Sequence, residues 1–320
     1  MKYNALSSHL KGGKYAPCYI LQGDDRWLIN SAVDMFCSIV STPELNSVVF
    51  QENEREDNIV NALKILPWGS DYRVVVAMEF STTKPVNNGG AKNTGKPILE
   101  YLKDPNPSSI LVLVSDESDF FSKAKAYAQV IDCSKLENLE LEKFIKSRCQ
   151  DKIEKAAIDT LINYCSRDLS RINTELDKIL SYKPNEKITR QDVEDLAVKG
   201  EEYKIYELTN CLAEKNPDQA FRVWNSLSHE TDDVYLIGSV YLYFRKLLYA
   251  AVNKNDPELY KKLGVNQYAF KYLEANSKKF GAVKLKKICD MLHLMDYSIK
   301  SGKIDKKTAA DKVIINIINV

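Results

Sequence analysis

Strand-like segments fill the first 133 residues of this 320-residue chain and then cease, and that asymmetry limits the folds open to it. Five short β-rich runs, Cys18 to Gly23, Ser47 to Gln51, Arg73 to Glu79, Ile110 to Ser115 and Val130 to Cys133, alternate with helical patterns. In one such pattern Leu28, Ala32, Phe36 and Ile39 recur at helical spacing, and in another Ile59, Ala62, Leu63 and Leu66 do. Strands that are apolar at almost every position have no face to give to water. Amphipathic helices must therefore cover both sides, as they do in a parallel sheet. Beyond Cys133 only helical spacing is found: Leu139, Leu141, Phe144 and Ile145, then Ile158, Leu161 and Ile162, then Leu169, Ile172, Leu176 and Ile179. Thr189 is placed to cap a further helix, with Asp192 in its first turn. Lys199-Gly200-Glu201-Glu202 is a polar break with Gly200 in C-cap style. Long helices follow, among them the aromatic-rich run Val234 to Val252, whose apolar residues on most sides suit a bundle core or an interface. The expected fold class is α/β plus all-α, with a parallel-sheet domain over 1–136, a small helical domain over 137–200 and a helical domain over 201–320.

Composition narrows the function classes. With 44% hydrophobic and 28% charged residues, the chain is globular in character. No run approaches the roughly 18 apolar residues of a membrane helix, and the start Met1-Lys2-Tyr3-Asn4 lacks an apolar signal segment, so a cytoplasmic protein without membrane contact is expected. The seven cysteines contain no Cys-x-x-Cys pair, which points to buried reduced thiols rather than zinc or disulfides. His9, His229 and His293 are scattered, so no catalytic residue, metal site or cofactor is expected. The net charge of +1 hides an asymmetry: residues 245–320 hold 16 Lys+Arg against 7 Asp+Glu, a net of +9, and the rest of the chain carries −8. Within this basic tail Lys278, Lys279, Lys284, Lys286 and Lys287 admit two readings, proximity to DNA or a solvated helical surface.

An enzymatic reading rests on two places. The strand Tyr19-Ile20-Leu21-Gln22-Gly23 ends where a phosphate loop would begin, but it continues as Asp24-Asp25-Arg26-Trp27-Leu28, without the Lys-Ser/Thr pair that holds phosphate and magnesium. Gly90-Ala91-Lys92-Asn93-Thr94-Gly95-Lys96 fits Gly-x-x-x-x-Gly-Lys, yet Pro97 stands at the hydroxyl position and a polar loop, not a buried strand, precedes it. Pro97 suits the first turn of a helix through Ile98, Leu99, Tyr101 and Leu102. A P-loop-type ATPase using Gly90 to Lys96 is the alternative, and it requires nucleotide binding that Lys96→Ala abolishes. Asp116-Glu117 imitates the acidic pair of such ATPases without a partner loop. Ser147-Arg148-Cys149 imitates an arginine-finger tripeptide, but within a helical run beyond the sheet.

The segment Leu66-Pro67-Trp68-Gly69-Ser70-Asp71-Tyr72-Arg73-Val74-Val75-Val76 runs from an amphipathic helix into a buried strand and leaves an aromatic at the join. Further marks are Gly23-Asp24-Asp25, Ser166-Arg167-Asp168-Leu169 leading into Asn173-Thr174-Glu175-Leu176-Asp177-Lys178, Gly264-Val265-Asn266-Gln267-Tyr268 before Lys271-Tyr272-Leu273, and Asp296 to Ile299 before Lys300-Ser301-Gly302. With these, the chain resembles, over nearly its whole length, the delta subunits of the bacterial DNA polymerase III clamp loader. The resemblance implies an AAA+-like sheet domain without ATPase chemistry, a small helical lid, and a C-terminal helical collar that joins gamma/tau and delta prime subunits in a hetero-pentamer. It implies a role in DNA replication within the polymerase holoenzyme, acting on primed DNA. It also implies that the chain binds the ring-shaped sliding clamp and opens one interface, through an apolar pair at the end of the helix before the third strand. That position falls here on Trp68 and Gly69, with Leu66 and Pro67 beside them. Gly69 departs from the pattern, since it has no side chain. Either Trp68 fills the clamp pocket with Leu66 assisting, or the register is shifted by one residue. In the competing reading Trp68 closes its own core. A delta prime-like or scaffold subunit without clamp contact is a further alternative, although the arginine finger and zinc cysteines of delta prime are not matched.

Overall fold

Each apolar run forms a strand. The computed structural model describes residues 1–86, 91–114, 118–229, 231–253, 256–265 and 267–320, the side chains of 118, 119, 121 and 267–269 excepted. Gly90 of the phosphate-loop-like motif, the Asp116-Glu117 pair and Asn266 lie outside the described residues, as do the side chains of Gln267 and Tyr268. The strands are β1 (Cys18–Gln22), β2 (Ser47–Phe50), β3 (Arg73–Ala77), β4 (Ser109–Val114) and β5 (Gln129–Asp132), in the spatial order β2-β3-β4-β1-β5. All neighbours are parallel, with Val48 opposite Val75, Val75 opposite Leu111, Ile20 opposite Leu113, and Ile20 opposite Val130. The central strands β3 and β4 are buried throughout, while the edge strands β2 and β5 are mostly half-buried, as expected where one side of the ladder is open.

Parallel neighbours need crossovers, and helices provide them. After α1 (Leu6–Lys11), α2 (Arg26–Cys37) and α3 (Pro43–Asn46) join β1 to β2, α4 (Glu56–Lys64) joins β2 to β3, α5 (Lys96–Tyr101) joins β3 to β4, and α6 (Ser118–Ala124) joins β4 to β5. Ile59 and Leu63 of α4 and Ile98 of α5 share a core with Ile20, Val75 and Leu111 of the sheet. The expected stripe Ile59, Ala62, Leu63, Leu66 is helical only as far as Leu63. The helix ends at Lys64, and Ile65 is already extended (φ −74°, ψ 127°); a helix continued to Pro67 would set the proline ring against the carbonyl of Leu63 and lose a backbone donor.

The chain divides into two compact units, Met1–Arg148 and Cys149–Val320. Helix α7 (Asn138–Arg148), which the sequence reading assigns to the second domain, clusters with the sheet unit, where the Phe144 ring meets Trp27 edge-on at 5.3 Å. The second unit begins with α8 (Lys155–Tyr164), α9 (Leu169–Tyr182) and α10 (Arg190–Leu196). Thr189 caps α10 as expected and goes further, forming a reciprocal box: Asp192 N donates to Thr189 Oγ1 at 3.3 Å and Thr189 N donates to Asp192 Oδ2 at 2.8 Å. The Thr189 hydroxyl, donating to Asp192 Oδ2 at 2.6 Å, then the Thr189 amide and Lys183 Nζ at 2.9 Å, hold the Asp192 carboxyl down at a pKa of about 2.

Gly200 differs from its expected role. It precedes α11 (Glu201–Ala213) as an N-cap with φ −70°, so the break opens a helix rather than closing one. Its lack of a side chain answers to crowding: a Cβ there would lie 2.5 Å from Arg171 Nη1 and 2.9 Å from Tyr164 O. The remaining helices are α12 (Pro217–Ser228), α13 (Asp233–Val252), α14 (Leu259–Lys262), α15 (Gln267–Phe280), α16 (Ala282–Lys300) and α17 (Lys306–Asn319). Helix α13, the expected aromatic run, packs on α15, α16 and α17 through Leu236, Ile237, Val240, Phe244 and Leu247, while Tyr235, Leu242 and Tyr249 stay exposed. None of the seven cysteines is in a disulfide, and all but Cys37 are buried. Burial pushes up the thiols of Cys18, Cys37, Cys133, Cys165, Cys211 and Cys289, Cys133 and Cys165 to about 12 and Cys289 to about 11.

Candidate protein-docking site

The turn between α4 and β3 is built from polar anchors with apolar side chains left outside. A helix ends with unsatisfied carbonyls, and those of α4 are taken from within the fold. Arg73 Nε donates to Ala62 O at 3.0 Å, while Ser109 Oγ and Asn106 Nδ2 donate to Leu63 O at 2.8 and 3.3 Å. Arg73 is itself buried at 7% exposure, and its Nη1 donates to Leu45 O at 2.8 Å. A cation at a helix C-terminus also lies favourably in the helix dipole. Beyond the helix, Asn46 grips Trp68 by the backbone: Trp68 N donates to Asn46 Oδ1 at 2.7 Å and Asn46 Nδ2 donates to Trp68 O at 2.9 Å.

Outside this frame the side chains face water. Leu66 and Trp68 are each 72% exposed, Ile65 52% and Leu45 50%. Trp68 therefore does not close its own core. Pro67 is half-buried. Gly69 is exposed in the left-handed region (φ +63°) with nothing within 4 Å of where a Cβ would be, so the turn into β3, and not crowding, selects glycine there. Sequence reasoning missed Leu45 and Ile65. An apolar residue beside a helical stripe reads the same whether it faces the core or water, and nothing in the chain marks Asn46 as the partner of a residue 22 positions away.

The phosphate-loop-like places are filled by the chain's own carboxylates. Glu56, the first residue of α4 and only 7% exposed, accepts from Thr94 N and Thr94 Oγ1 at 2.9 Å each and from Gly95 N at 2.7 Å. The amides that a P-loop would aim at phosphate are thus turned onto an internal anion. Asn93 adds a contact from its side chain, accepting from Glu56 N at 3.1 Å. Lys96 is exposed, and Pro97 lies in the first turn of α5 as expected. After β1, Asp25 caps α2 by accepting from Leu28 N at 3.1 Å. A Cβ on Gly23 would stand 2.2 Å from the backbone of Cys133, so no loop wide enough to wrap a phosphate forms there.

The lysines of the basic tail divide. Lys278 pairs with Glu274 at 3.2 Å, Lys279 with Glu214 at 3.3 Å and Lys286 with Asp290 at 2.7 Å, whereas Lys284 and Lys287 are exposed and have no ion-pair partner among the described residues. Among the described residues no group of His, Cys, Asp and Glu is arranged to hold a metal ion, and no helix is long and apolar enough to cross a membrane.

Residues 19–134 match the family model described as DNA polymerase III, delta subunit, and residues 202–317 match that of the DNA polymerase III delta subunit, C-terminal domain. The DNA polymerase III subunit delta of Bacillus subtilis (strain 168) is 22% identical over 329 residues, spanning 97% of this chain and 95% of that protein. The solved structure of the Bacillus subtilis DNA clamp loader delta protein (YqeN) superposes with a TM-score of 0.75 at 20% identity, covering 99% of this chain and 100% of that one. The expected fold class, an α/β sheet unit followed by helical domains, is therefore the clamp-loader delta fold. Two matched segments in the same order as in the family, joined by a near full-length relative, make this chain a member of the DNA polymerase III delta-subunit family, the delta subunits of the clamp loader.

Proposed function

We propose that this delta subunit binds the replication sliding clamp by inserting Trp68 into an apolar pocket of the ring, with Leu66 as the second member of the pair and Ile65 and Leu45 as flanks. The observation that carries this is Trp68 itself: a large ring, 72% exposed, on a backbone held from both sides by a buried amide. Exposed aromatics of this kind are typical hot spots. Gly69 is claimed by the turn, which leaves Leu66 and not residue 69 beside Trp68. Pro67 sets the break that brings both side chains out. The clamp is opened because the surface fits the sprung ring better than the closed one, since a ligand moves an equilibrium only by its differential affinity for the two states.

No covalent chemistry is assigned to the chain. Glu56 occupies the amides on which a Gly90 to Lys96 ATPase would depend. As a clamp-loader subunit the chain associates with other components of DNA polymerase III. The gamma/tau and delta prime subunits are the partners proposed for its helical collar, in a cytoplasmic hetero-pentamer, with the exposed residues Tyr235, Leu242 and Tyr249 of α13 available for contact. Primed DNA is proposed to pass near the basic tail. The test is binding of the full chain to its sliding clamp by surface plasmon resonance without nucleotide. Trp68→Ala should weaken binding by about 30-fold or more, as loss of a central tryptophan does. Unchanged affinity would move the contact elsewhere.

A further inference from the structure

Asn46 is fully buried, yet it serves the most exposed ring of the docking surface. Its Oδ1 accepts from Trp68 N at 2.7 Å, and its Nδ2 donates to Trp68 O at 2.9 Å and to Ser41 O at 2.7 Å. Both backbone polar groups of Trp68 are thereby satisfied from inside the protein. Two consequences follow. The peptide cannot swing without breaking two hydrogen bonds, and neither group must be stripped of water when a partner covers the ring. The neighbouring Leu45 is fixed in the same frame, because Arg73 holds both Leu45 O and Ala62 O. Helix α3 and the α4–β3 turn therefore form one platform, with Asn46 as its joint.

We propose that Asn46 is the positioning residue of the docking surface: it orders Trp68 during folding, so that the ordering cost does not fall on binding. This rests on the reading of Trp68 as the clamp anchor. The geometry is specific to the asparagine amide. Aspartate keeps the acceptor for Trp68 N but turns a carboxylate onto the carbonyls of Trp68 and Ser41, and leucine keeps the branched shape, with more bulk, but supplies neither bond.

Clamp binding by the full chain is compared for wild type, Asn46→Leu, Asn46→Asp, Trp68→Ala and the Asn46→Leu/Trp68→Ala pair, with residual binding read at high clamp concentration. Asn46→Leu should weaken binding about tenfold, the effect of losing two net hydrogen bonds, and Asn46→Asp at least as much. In the Trp68→Ala background the leucine should cost nothing further. An equal loss in both backgrounds means that Asn46 acts only as general scaffold and overturns the proposal. Wild-type affinity in Trp68→Ala removes the docking reading itself, whatever the Asn46 variants do. Should Asn46→Leu fail to fold, hydrogen exchange of the wild-type chain still decides: the Trp68 amide should exchange at least tenfold more slowly than that of Gly69, and equal rates refute the bracket.

Discussion

Replacing Glu56 by alanine removes an acceptor from three donors at once, two of them backbone amides. Thr94 is exposed and water can replace its lost bonds, but Gly95 is buried and its amide would be left bare. An unpaired buried amide costs about 1–3 kcal/mol, and loss of a negative charge from a helix N-terminus adds about 0.3–1 kcal/mol. The sheet unit should therefore lose roughly 1–4 kcal/mol, which for a domain of this size lowers its melting temperature by about 3–15 °C. Calorimetry of the full chain measures this, with the transition of the helical unit as internal reference. Glu56→Gln, which keeps one acceptor oxygen but sets an NH2 group against a donor, should fall between wild type and alanine. Alanine melting within about 2 °C of wild type would contradict this account, because such a shift is below one lost hydrogen bond. So would a rise in the wild-type melting temperature on adding ATP, since a ligand stabilises only the state that binds it and these amides are already taken.

Two further outcomes are expected. The depressed pKa of Asp192, at about 2, comes first from the Thr189 hydroxyl, then from the Thr189 amide and Lys183. A lowered carboxyl pKa contributes stability that is present above the ordinary carboxyl range and lost as pH falls through the folded value. Asp192→Asn should thus reduce the melting temperature of the helical unit at neutral pH and converge with wild type near pH 2, and a difference that persists in acid contradicts the capping account. Replacing Lys284 and Lys287 by glutamine in the assembled loader should reduce the slope of log affinity for primed DNA against log salt by about 1.8, that is about 0.9 for each phosphate no longer neutralised. An unchanged slope assigns both to solvated surface.

The parts of this fold that can be read in the sequence are those with a local cause. Continuous apolar runs such as Ile110 to Val114 can only be central strands, and Thr189 with Asp192 is a cap written within four residues. Trp68 stands out because Pro67 and Gly69 break the chain on either side of it. What stays hidden depends on distant partners. Glu56 meets Thr94 and Gly95 from 38 and 39 positions away, so a phosphate-loop pattern cannot be told from a loop wrapped on its own carboxylate. Gly200 does mark a break, but its reason, the approach of Arg171 and Tyr164, belongs to tertiary packing. Leu66 reads as part of a buried stripe because periodicity carries no information about which turn of a helix is cut short by the following proline.

The distribution of the thiols makes the chain its own recorder of local opening. Cys18 and Cys133 are buried in the sheet unit, Cys149 and Cys165 near the start of the second unit, and Cys211 and Cys289 on its later helices α11 and α16, with Cys37 alone half-accessible. A buried thiol with a raised pKa is inert to alkylation until its surroundings open, so its modification rate reports the frequency of that opening and no other. Brief exposure to an alkylating reagent followed by peptide mass analysis would then rank the sheet unit and the early and late helices of the second unit by local stability in one unmodified molecule.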